Sequence, residues 1–138
     1  MSGIHIKEEH IELFNKLKLD KEYRALSFGL GPERNSVELF DKFSRDTNHE
    51  DILKSLPNND CRFVILDFEY KTFENPPRDT QKLILVHWAP DNAPIKIKVP
   101  FSATKSEIKS AFVGIQKDIQ ASDHAILDLE ELRKECCS

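Results

Sequence analysis

The chain has 138 residues, 39% of them hydrophobic and 32% charged, with nine Phe. That supplies apolar material for one core, so a disordered chain is excluded and a single domain over residues 1–138 is expected. Its 20 Lys and Arg against 24 Asp and Glu give a formal charge of −4, which argues against a general nucleic-acid binder, and no apolar run approaches the roughly 20 residues of a membrane-spanning helix.

In chain order, residues 7–18 read as a helix, because Ile11, Phe14 and Leu17 recur at helical spacing while Lys7, Glu8, Glu12 and Lys16 fall largely elsewhere. Residues 23–30 read as a strand, Gly31-Pro32-Glu33-Arg34-Asn35 as a turn, and residues 36–43 as the returning strand of a hairpin. Asn48 suits the N-cap of a short helix carrying Ile52, Leu53 and Leu56 and stopping at Pro57. Residues 61–70 carry the strongest strand signal. Cys61, Phe63, Ile65 and Asp67 would share one face, and Val64, Leu66, Phe68 and Tyr70 the other. Two apolar faces mean a central strand covered on both sides. Residues 71–80 contain Asn75-Pro76-Pro77 and read as a loop. Residues 82–88 read as a second buried strand, followed by a turn-rich crossing through Ala89–Pro94.

A long helix is expected from Thr104, where Thr104-Lys105-Ser106-Glu107 fits a capping box. Ile108, Ala111, Phe112, Ile115 and Ile119 would form its buried stripe to about residue 120. Residues 128–136 read as a closing helix with Leu129 and Leu132 inward. The whole implies an α/β sandwich, with helices around one sheet.

Constellations for chemistry are sparse. None of His5, His10, His49, His87 and His124 stands in a metal-binding motif. His87 and Cys61 read as core residues. Cys136 and Cys137 read as exposed thiols on a frayed end, one place too late for prenylation. The odd cysteine count, and the absence of an apolar signal-like stretch in Met1–Glu9, make a reducing, cytosolic setting the expectation. No nucleophile elbow and no Gly-rich phosphate loop occurs. Asp67/Glu69 and Glu8/Glu9 read as ordinary face charges.

The unusual charge lies in residues 96–117, where Lys96, Lys98, Lys105, Lys109 and Lys117 stand against the single acid Glu107. A solvated helix face would give such a run. Two details favour use of the cations by an acidic partner. Lys96 and Lys98 alternate, as on one side of an extended segment, and basic charge near a helix N-terminus opposes the dipole. Actin, a phosphoinositide headgroup or nucleic acid would each satisfy that reading.

Asn59-Asp60-Cys61-Arg62-Phe63-Val64-Ile65-Leu66-Asp67-Phe68-Glu69-Tyr70 resembles the central strand of the ADF/cofilin family. Trp88-Ala89-Pro90-Asp91-Asn92-Ala93-Pro94-Ile95-Lys96-Ile97-Lys98 resembles that family's tryptophan–proline–lysine stretch, and Ser102-Ala103-Thr104-Lys105 follows at the expected distance. Met1-Ser2-Gly3-Ile4 and Phe14-Asn15-Lys16-Leu17-Lys18-Leu19 are also similar, so the resemblance covers essentially the whole chain. It comes nearest to the short, actophorin-like cofilins of unicellular eukaryotes.

The resemblance implies a single actin-depolymerising-factor homology domain, with a mixed sheet of about five strands between helices on both faces. It implies binding of actin monomers and ADP-actin filaments, with severing and depolymerisation, and no covalent chemistry or cofactor. The surface used on monomer and filament would comprise Ser2, Gly3, Ile4, Lys96, Lys98, Val99, Lys105 and Lys109. Ser2 would be an inhibitory phosphorylation site, since phosphate adds about −1.5 to −2 charge. A filament-only surface would comprise Arg78, Lys82, Arg133 and Lys134. Ser110 and Thr80 depart from positions where the family often carries a basic residue. The implied setting is the cytoplasmic actin cytoskeleton, as a monomer, without nucleic acid or integral membrane association, and with phosphoinositides as inhibitory ligands. The alternatives are a coactosin-like filament binder without severing, a glia-maturation-factor type, or a phosphoinositide-binding module; an enzyme ranks last.

Overall fold

The computed structural model describes residues 6–137. Five strands form one sheet in the order β2-β1-β3-β4-β5: β1 (Tyr23–Leu30), β2 (Val37–Ser44), β3 (Arg62–Lys71), β4 (Asp79–Trp88) and β5 (Lys117–Ala121). The first four pair antiparallel, and β5 runs parallel to β4. A parallel neighbour requires a crossover, and α3 (Ile95–Ala111) provides it. The remaining helices are α1 (Glu8–Lys18), α2 (His49–Lys54) and α4 (Leu129–Cys137), with a 3-10 turn at His124–Leu127 before α4.

The two-faced reading of β3 holds. Cys61, Phe63 and Ile65 pack with Phe14 and Leu17 of α1 and with Phe101 and Ile108 of α3. Val64, Leu66 and Phe68 pack with Ile52 of α2 and Leu132 of α4. Asn48 caps α2 as expected, accepting from the Asp51 amide at 2.9 Å. The hairpin is shifted by one residue at its second strand. The loop before β4 is shorter than expected, because the β3–β4 ladder runs to the pair Lys71 and Asp79.

Asp67 is not an ordinary face charge. Its side chain is fully buried, and its Oδ2 accepts from Lys21 Nζ and from Arg45, both at 2.9 Å. The Arg45 guanidinium also reaches the Tyr23 carbonyl and Glu69. This ties the loops after α1 and β2 to the end of β3.

The largest departure concerns α3. It begins at Ile95, not at Thr104, and ends at Ala111, not near residue 120. Pro100 stands inside it. Proline's φ suits a helix, and its cost is the hydrogen bond it removes and the crowding of the preceding turn. Burial of Phe101 works against that cost, and Thr104 is an interior residue whose Oγ1 donates to the Pro100 carbonyl at 2.8 Å. Beyond Ala111, Gly114 takes φ +110° and turns the chain into β5. Gln116 seats that strand, its amide donating to the Leu83 carbonyl and its Oε1 accepting from the Leu83 amide. Ile119 therefore faces the α2/α4 side, while Ile108 and Phe112 face the α1/α3 side.

Candidate protein-binding surfaces

The start of α3 is built against its own interest. Pro94 occupies the N-cap with no side-chain bond, and the first turn has no acid. Lys96 and Lys98 both lie near that positive helix end, so the dipole penalty anticipated further along the chain applies here. Their geometry differs from the expectation. On a helix, at about 100° per residue, Lys96 and Lys98 stand about 200° apart, so they do not share a side. The buried stripe is Phe101, Thr104 and Ile108, joined by the half-buried Ile97. Lys98, Lys105 and Lys109 line one flank of it, and Lys96 lies on the other. Between the flanks, facing away from the core, stand Ile95 and Val99, 76% and 64% exposed. An outward apolar strip rimmed by cations has the anatomy of a protein interface, with an apolar centre and a polar edge.

The two distal lysines are not free. Asp118 of β5 receives Lys105 Nζ at 3.2 Å on Oδ1 and Lys109 Nζ at 3.1 Å on Oδ2. Burial pushes the Asp118 carboxyl up, but the close ammonium groups of Lys109 and Lys105 outweigh it and hold it below its ordinary value. Lys98 reaches the Asp91 carbonyl, at 3.4 Å. Near them, His87 is buried edge-on to Phe63 and Phe101. Burial, with a smaller push from Lys105, brings its imidazole down to about 4. Ser2, Gly3 and Ile4 lie outside the described residues.

Of the second expected surface, Arg78 and Lys82 line a cleft of about 520 Å³ beside the β3–β4 loop, with Tyr70, Phe73 and Cys137, and Arg133 packs against Phe73 of its wall, whereas Lys134 is not on it. Its cations are of two kinds. Lys82 and Arg133 are used internally. Lys82 Nζ donates to the Cys136 carbonyl at 2.7 Å, satisfying an orphan acceptor at the end of α4. Arg133 donates to the carbonyls of Lys71 and Thr72, and its guanidinium stacks 3.9 Å from the Phe73 ring centre. Arg78 and Lys134 point to solvent, 67% and 63% exposed, and pair with Glu74 and Glu131 of their own segments. Two expectations for α4 fail. Leu129 is 49% exposed, and Cys136 is buried beside Leu132 in its place, so only Cys137 is an exposed thiol. Sequence reasoning missed Asp118, Ile95 and the internal role of Lys82. The first lay in what read as helix, and the other two depend on tertiary placement.

Residues 3–137 match the family described as cofilin/tropomyosin-type actin-binding protein. Actophorin of Acanthamoeba castellanii is 36% identical over 125 residues, covering 91% of this chain and 88% of that protein. Cofilin of Schizosaccharomyces pombe is 38% identical over 122 residues, covering 88% and 86%. The crystal structure of Streptomyces griseoflavus cofilin superposes with a TM-score of 0.85 at 28% identity and covers 96% of each chain.

Proposed function

The chain belongs to the cofilin/tropomyosin-type actin-binding protein family, and on that premise we propose that it binds actin monomers and ADP-actin filaments and promotes filament severing and depolymerisation. The observation that carries this reading is the outward face of α3, where Ile95 and Val99 stand exposed between Lys96 and the Lys98/Lys105/Lys109 flank. An apolar slot bordered by acids on actin would bury the strip and pair with its rim. Ser2, Gly3 and Ile4 would extend this surface. Arg78 and Lys134 would reach a second subunit in the filament, with Lys82 and Arg133 holding the elements that carry them. Work on the filament needs no covalent step. Binding one filament state more tightly than another shifts the population between them.

Phosphoinositides would compete through the same lysines. Phosphorylation at Ser2 would oppose an acidic partner by charge. The protein would act in the cytoplasmic actin cytoskeleton as one cofilin-like domain over residues 1–138, monomeric and without a cofactor.

The deciding experiment is co-sedimentation with purified filaments, with actin measured in the supernatant. Co-pelleting with a raised supernatant fraction is expected. Co-pelleting without it would make the protein a coactosin-like filament binder, and absence of both would overturn the proposal.

A further inference from the structure

We propose that Asp118 is a positioning residue for actin binding, holding the Lys105 and Lys109 ammonium groups side by side at the junction of α3 and β5. This rests on the reading of α3 as the actin-facing helix.

Lys105 and Lys109 are one helical turn apart, where like charges repel. Left alone, two flexible lysines would diverge into water. The carboxylate of Asp118 sits between them and gives one oxygen to each. It is well placed to hold them, because it is largely enclosed: its side chain is 27% exposed and that of Lys105 23%. Oδ1 has no aligned hydrogen bond among the described residues, so Lys105's charge is what answers it. The buried neighbour His87 is neutral above about pH 4, so it brings no charge of its own to the pair. Asp118 also lies on a different element from the lysines. It therefore sets the heads of two α3 side chains relative to the sheet, not merely relative to their own helix.

Asp118 has two opposed effects on an acidic partner. It cancels one positive charge on the face, which weakens long-range attraction to any anionic surface. It also fixes in advance where two cations stand, which spares a shaped partner the entropy of ordering them. Screening over about 8 Å at physiological salt blunts the first effect, whereas the second acts at contact. The positional effect therefore dominates for actin.

The test is Asp118→Asn, which keeps the shape and removes the charge, measured against labelled ADP-actin monomers. Affinity is expected to fall about fivefold, although the protein becomes more positive; charge attraction alone predicts a rise. Asp118→Glu should recover at least half of the loss. In a Lys105→Met/Lys109→Met background, Asp118→Asn should have no further effect, a coupling that general loosening of the fold would not produce. Unchanged or tighter binding by a folded Asp118→Asn protein overturns the proposal. So does an equal loss in the lysine-free background. If the wild-type protein fails to bind actin, the functional reading falls and takes this one with it. If it binds and Asp118→Asn binds equally, only the role of Asp118 falls.

Discussion

His87 shows what burial does to a single ionisable group. It is 4% exposed, ringed by Phe63 and Phe101, with Lys105 of α3 lowering its basicity and Asp118 of β5 raising it slightly. The folded protein keeps it neutral down to about pH 4, while an unfolded His titrates near 6.5. Between those values the unfolded state binds more protons, so stability declines as pH falls from about 6.5 to 4. The full effect is about 3 kcal/mol. Denaturant melts of wild type and His87→Leu across that range should show a flatter profile for the variant; parallel profiles would remove His87 as the cause. The same residue was legible from sequence as a core histidine, because it sits in an apolar strand. Its cluster with Lys105 and Asp118 was not legible, because those residues come from two other elements.

At the scale of the element, α3 carries both the proposed actin-facing surface and the main error of sequence reading. The capping-box pattern at Thr104 placed the helix start there, yet Thr104, like Pro100, lies inside a helix that begins at Ile95. Local chemistry lost to the burial of Phe101 and Thr104, both fully enclosed. At the other end, Ile108, Phe112, Ile115 and Ile119 kept helical spacing across a helix, a turn and a strand. Gly114 and the apolar–polar alternation of Ile119-Gln120-Ala121 were the signals against it. The correction alters how Lys96 and Lys98 are to be tested. On opposite flanks they would grip separate parts of a partner, so their losses should add. Lys96→Ala and Lys98→Ala should each weaken monomer binding, and the pair should weaken it by about the product, with thermal stability changed by only about 0.5 kcal/mol. A double variant no weaker than either single would return the two lysines to one shared contact.

At the scale of the molecule, the two proposed surfaces lie on different elements. One is α3, at the β5 side of the sheet, and the other is the β3–β4 loop with α4. Because Lys82 and Arg133 bond to backbone carbonyls, changing them would disturb α4 as well as any partner. Arg78→Ala with Lys134→Glu is the cleaner probe. Loss of two charge-assisted contacts, each about 1.5–3 kcal/mol, should cut filament affinity by tenfold or more while sparing monomers. Paired titrations with ADP-actin monomers and with filaments check this, and equal losses in both would deny the second surface its independence.

By itself the sequence determined the sheet's centre, the hairpin, the cap of α2 and the family. These rest on alternation, turn residues and motifs read within a few residues of one another. The tertiary structure alone decided the extent of α3, the strand that follows it and the pairing of Asp118 with two lysines. It also decided which cations near α4 face outward and which hold the fold. Each of those outcomes depends on contacts between residues distant in the chain, whose burial and hydrogen bonding outweigh the local preferences that periodicity can reveal.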